Sequence, residues 1–166
     1  MSMNFKDIPQ FTRIGTYEVS WEFRYFIEHL QNEIKEGLEL NPDFQRGHVW
    51  TEEQQIAFIE YFLMGGEVGT LYFNAPNWPD DCKNYVCVDG LQRITAFTKF
   101  YNNELQAFGL YYKEYTGRPS NWIKVNVNNL KTRKEVLKWY LEINSGGTPH
   151  TKEELDRVRK LLEAEM

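Results

Sequence analysis

Cysteine and histidine are scarce: two Cys and three His in 166 residues. That leaves too few soft ligands, too widely scattered, for a thiolate or imidazole metal centre. Two isolated thiols, Cys82 and Cys87, instead suit a reducing, cytoplasmic setting. No apolar run approaches the roughly 20 residues that a membrane span needs. The first ten residues carry no signal-peptide core, so no membrane partner is expected. Positive charge is also lacking, since the formal net charge is -5. A protein that coats nucleic acid through bulk charge is thereby excluded, although a local basic groove is not. There is no Gly-Lys-Ser/Thr phosphate loop, no nucleophile elbow, no zinc signature, no repeat and no low-complexity tract.

What is present is a core. Apolar residues make up 42% and aromatic residues 16% of the chain, which rules out a disordered tail. The length suits one domain over 1–166, with 1–16, which shows no clear period, as an N-terminal arm. Helical and strand patterns are intermixed, which gives a single layered α+β or α/β domain.

The chain is organised around Val86-Cys87-Val88-Asp89-Gly90-Leu91-Gln92-Arg93-Ile94-Thr95. Tyr85 to Val88 is a short apolar, β-favouring run. From Leu91 the spacing turns helical, with Leu91, Ile94, Phe97 and Tyr101 on one face. A strand ends at Asp89 and a helix begins at once, Gly90 permitting a close turn. Such a junction directs unpaired N–H groups outward and favours an anion. Arg93 adds a planar fork suited to phosphate oxygens, and as an exposed first-turn residue it should add little to stability. A purely structural reading stands beside this one: Asp89 caps the helix and Gln92, three residues on, completes a capping box. Spacing does not choose between them.

Elsewhere, Tyr17 to Val19 reads as a brief strand and Ser20 as the cap of a helix carrying Phe23, Phe26, Ile27 and Leu30, which stops near Gly37. His29 falls on that helix's solvated face. After the turn Asn41-Pro42-Asp43 come Gln45 and Arg46, set between Phe44 and Val49-Trp50. Capping boxes are expected at Thr51/Gln54, Thr132/Glu135 and Thr151/Glu154. Strands are expected at Thr70 to Asn74 and at Ile123, Val125 and Val127. Tyr111, Tyr112 and Tyr115 suit a core edge better than base stacking. Lys152, Arg157, Arg159 and Lys160 alternate with acids, as on a solvated face.

Three stretches together resemble a known family: Phe44-Gln45-Arg46 with Val49-Trp50, Val88 to Thr95, and Ile143-Asn144 with Gly147 and Thr151 to Leu155. Their order is similar to the N-terminal domain of GmrSD-type restriction endonucleases, within the ParB/sulfiredoxin-like superfamily, over nearly the whole chain from the first helix onward. The resemblance implies an α+β fold, a small mixed sheet packed with about five helices. It implies nucleotide binding and nucleoside triphosphate hydrolysis that control a separate DNA-cleaving domain, in bacterial DNA restriction or phage defence. Carried over, Gln45 and Arg46 hold phosphate from one side, and Asp89, Gly90, Gln92 and Arg93 hold it from the other, with Asn144 beside them. Asp89 and Arg93 become the catalytic candidates, and Mg²⁺ the implied cofactor, with Asp89 as its candidate ligand. Leu91 and His150 depart from the family pattern. No His-Asn-His nuclease motif follows, so the expected partner is a nuclease or restriction protein in trans, and the expected origin a phage or mobile element. Two alternatives stay open: a module that grips DNA backbone phosphate or weakly cleaves it, and a non-catalytic regulator of a restriction protein.

Overall fold

The computed structural model describes residues 4–9, 12, 16–45, 49–81, 83–145 and 152–166. In chain order these form β1 (Tyr17–Glu22), α1 (Phe23–Lys35), α2 (Glu52–Leu63), β2 (Thr70–Asn74), β3 (Val86–Asp89) and α3 (Leu91–Tyr101). The short strands β4 (Gln106–Ala107) and β5 (Leu110–Tyr111), then β6 (Trp122–Asn128), α4 (Arg133–Asn144) and α5 (Lys152–Ala164) complete the set. The main sheet has the order β1-β6-β2-β3. β6 runs antiparallel to β1 and parallel to β2, and β2 pairs antiparallel with β3. The fold is therefore α+β with a small mixed sheet, as the family resemblance implies. β4 and β5 form a separate hairpin rather than edge strands of that sheet.

The alternation in β6 sends Ile123, Val125 and Val127 to one face, where they meet Leu71 and Phe73 of β2 and Cys87 of β3. Helices α1, α2 and α3 cover that face with Phe23, Ile27, Phe62, Phe97 and Phe100. Phe97 is central: its ring centroid lies 4.8 Å from Phe62, 5.0 Å from Phe58 and 5.6 Å from Phe23. Tyr112 and Tyr115 pack on Phe100, so these two tyrosines belong to the core edge. The opposite face is smaller. There α4 and α5 bring Leu137, Trp139, Tyr140 and Val158 against Phe44 and Val88.

Local rules hold where no stronger interaction competes. The boxes at Thr51/Gln54 and Thr132/Glu135 both form, while Thr151 lies outside the described residues. Ser20 is not a cap. It pairs with Lys124 inside β1, and the strand runs on to Glu22, whose carboxylate takes the Arg24 and Tyr25 N–H groups. Sheet pairing outweighs the local hydroxyl signal there. His29 is likewise not simply solvated: it lies 4.4 Å from the Trp21 ring and 3.3 Å from Glu33. The N-terminal arm touches the domain at Thr12, whose N–H and hydroxyl donate to Glu142 of α4. Among the described residues, no helix is long and apolar enough to cross a membrane.

Candidate functional site

β3 delivers Asp89 to the sheet edge and α3 starts two residues later, so the expected strand-to-helix junction is present. Its details differ from the capping reading. The N-cap is Gly90, with no side-chain cap bond, and Asp89 does not cap. Gly90 has φ 134°, and a Cβ there would stand 2.6 Å from Leu71 Cδ2. Both the backbone and the close approach to β2 demand glycine. The first helical N–H groups are consequently left without a side-chain cap.

Asp89 pairs instead with Arg93, Oδ2 to Nη2 at 3.1 Å. Arg93 Nη1 also donates to the Val68 carbonyl at 2.8 Å. Gly69 makes room for it, since a Cβ at Gly69 would sit 3.0 Å from Nη1. The Arg93 side chain is only 17% exposed, so the exposed first-turn arginine expected from sequence is a half-buried tether. Its truncation would leave a carboxylate and a carbonyl without their partner, and stability would fall.

Gln92 does not complete a capping box either. Its Oε1 accepts the Val49 and Trp50 N–H groups at 2.9 and 3.1 Å. Gln55 of α2 donates to the Trp50 carbonyl at 3.1 Å from the other side. Gln45 is buried, and its Nε2 donates to the Cys87 and Val88 carbonyls at 3.1 and 2.9 Å. Asn144 Nδ2 donates to Tyr140 at 2.7 Å, back into its own helix. So these four amides are spent largely on building walls.

Those walls enclose a cleft of about 420 Å³. Gln45, Asp89, Gly90, Gln92, Arg93 and Asn144 all line it, although they come from three distant parts of the chain. Arg46 lies outside the described residues, as does the Gly147 to Thr151 stretch. Trp50, Val68, Thr70, Tyr72 and Ile143 complete much of the lining and were not singled out as site residues from sequence. Trp50 and Ile143 stand in the stretches that carry the family resemblance, whereas nothing local marks the others: Val68 contributes a carbonyl, and Thr70 and Tyr72 read as ordinary strand positions. Among the described lining residues the only charged side chains are Asp89 and Arg93, which neutralise each other.

The charged residues of α5 also need correction. Arg159 pairs with Asp156 on its own helix, as a solvated face should. Arg157 does not: its Nη2 donates to the Phe44 and Gln45 carbonyls at 3.1 and 2.9 Å. An alternating charge pattern cannot reveal such a bond, because its acceptors are backbone atoms far away in sequence.

The donor set does not make a metal centre by itself. No group of three or more His, Cys, Asp or Glu residues capable of holding an ion occurs among the described residues. Asp80 and Asp81 lie in the loop between β2 and β3, Asp81 accepting from Asn77 and from the Lys83 N–H. Cys87 is fully buried, and burial together with nearby Asp89 pushes its thiol well up, so it stays protonated and inert.

The model of the GmrSD restriction endonuclease N-terminal domain matches residues 27–122, more than half of the chain. The chain belongs to this family. The match includes Gln45, Trp50 and the whole Asp89-to-Arg93 junction, and it places the domain in the setting of DNA restriction. It ends before α4, so Ile143 and Asn144 reach the cleft from outside the matched segment. Neither curated proteins nor solved structures give a significant match.

Proposed function

We propose that this GmrSD N-terminal-type domain binds a nucleoside triphosphate at the Asp89-to-Arg93 junction and hydrolyses it, in the service of a restriction system. One observation carries the reading: a glycine-capped helix start and an arginine fork open together into a cleft of mononucleotide size. The N–H groups of Leu91 and Gln92 and the positive end of the α3 dipole supply a fixed field for phosphate oxygens. Arg93 keeps further N–H groups of its five-donor fork beyond the two bonds it makes. When phosphate arrives, Arg93 shifts part of its bonding from Asp89 to the phosphate, which frees the carboxylate to orient an attacking water. A volume of about 420 Å³ suits one nucleotide and is small for a duplex. Mg²⁺ would arrive on the phosphates and keep most of its water shell, Asp89 being the one carboxylate among the described lining residues.

A thermal-shift screen of the four nucleoside triphosphates, with and without Mg²⁺, tests binding. Ligand at a hundred times its dissociation constant should add about 2.7 kcal/mol of stability. No shift with any of them would end the nucleotide reading. Asp89→Asn then tests hydrolysis, since it should bind nucleotide and release no phosphate. Retained binding of DNA with a steep salt dependence, and no nucleotide effect, would favour the DNA-backbone alternative.

A further inference from the structure

Helix α5 is weakly seated, since Val158 is its one buried residue. Yet the turn that carries Gln45 is held from its side of the molecule. Arg157 Nη2 donates to the Phe44 and Gln45 carbonyls at 3.1 and 2.9 Å. Arg133, the first residue of α4, reaches Asp43 at 2.7 Å and Glu165, just beyond α5, at 3.1 Å. The same turn presses the Gln45 amide onto the Cys87 and Val88 carbonyls, immediately before Asp89. A charged donor thus grips the backbone of a residue whose side chain grips the end of β3.

We infer that Arg157 is a positioning residue for the cleft. It fixes the Gln45 backbone so that the Gln45 amide can hold the Asp89 end of β3, and so couples the seating of α5 to the shape of the phosphate site. A merely structural Arg157 would fasten α5 and leave the Gln45 clasp as it is. A positioning Arg157 loosens that clasp when it is removed, even in a folded protein. Coupling is reciprocal: whatever stiffens the cleft also seats α5 more firmly. The ligand half of this inference rests on the nucleotide reading proposed above, and the Gln45 half does not.

The test has two arms on the full chain. In the first, without ligand, NMR follows solvent exchange of the Gln45 side-chain Nε2 protons. Arg157→Ala should exchange them about tenfold faster or more, as expected for loss of a charge-assisted bond that held them in place. Arg157→Lys, which can still donate to a carbonyl, should recover most of the protection. Unchanged protection in folded Arg157→Ala overturns the inference, and if that variant does not fold, Arg157→Gln is read by the same criterion. In the second arm, ATP with Mg²⁺ is titrated by calorimetry. Arg157→Ala should weaken binding about tenfold, while Arg159→Ala, whose partner is on its own helix, should bind like the parent. Equal affinity in the parent and Arg157→Ala also overturns it. If the parent binds no triphosphate, the nucleotide reading falls and the first arm alone decides Arg157.

Discussion

The two faces of the sheet are built differently. The face under α1, α2 and α3 is a continuous aromatic core centred on Phe23, Phe62, Phe97 and Phe100. The face under α4 and α5 is small, and polar residues are buried within it or beside it. Asn126 Oδ1 and Trp139 Nε1 are buried there with no hydrogen-bond partner among the described residues, as Trp21 Nε1 and Glu33 Oε2 are on the first face. Trp139 stands edge-on to Tyr72, a cleft residue, at 5.7 Å. The cleft opens where the two regimes meet, at the end of β3. One side gives it a strand end and a helix start set in the aromatic core, and the other gives it walls held by side-chain hydrogen bonds to backbone carbonyls. Stability should therefore be concentrated on the first face, and adjustability on the second.

The largest effect that sharpens this contrast is a pair of core truncations compared by urea unfolding. Phe97→Ala should lose about 3–5 kcal/mol, the usual cost of removing a buried phenyl ring. Val158→Ala should lose about 1.5 kcal/mol, from two buried methyl-sized groups. Equal losses would erase the distinction between the faces.

Gly90→Ala is next in size, and it acts at the boundary between them. The substitution forces alanine into φ 134° and drives its Cβ into Leu71, a core residue of the first face. Strain of about 1–3 kcal/mol is expected, with a lowered melting temperature and loss of triphosphate binding. A variant as stable as the parent would mean that the junction relaxes freely, contrary to a rigid first face.

Individual elements and the junction were legible in sequence because their signals are local. The β6 alternation, the Thr51 and Thr132 boxes and the change of period at Asp89 each need only a few neighbouring residues. Asp89 turns from the cap for a local reason, its pairing with Arg93 one helical turn on. The other departures share one cause, a distant partner stronger than the local one: Ser20 pairs with Lys124, and Gln92 turns to the Val49 and Trp50 N–H groups. Arg157 was hidden for the same reason, because its acceptors are backbone carbonyls more than a hundred residues away. That Gln45 and Asn144 line the same cleft as the junction followed from resemblance rather than from spacing.

The smallest expected effect lies on the second face and depends on pH. The Arg133 guanidinium, bonded to Asp43, holds that carboxyl below its ordinary value of 3.8. A depressed carboxyl stabilises the fold above the unfolded value and loses that contribution as pH falls through the folded one. The pair is largely exposed, so acid should loosen the Asp43–Gln45 turn slightly below the ordinary aspartate range, ahead of global unfolding. Amide exchange at residues 43–45, compared at neutral and acidic pH in the parent and in Asp43→Asn, would register it. The variant should look loosened at both values.

The most direct measurement is a calorimetric titration of the parent and of Arg93→Gln with the triphosphate that most stabilises the parent, each paired with a melting curve. The account predicts a folded, somewhat less stable variant whose dissociation constant rises about a hundredfold, as loss of a charged hydrogen-bonding fork requires. Equal affinities in two folded proteins would contradict it and move the nucleotide away from the Asp89-to-Arg93 junction.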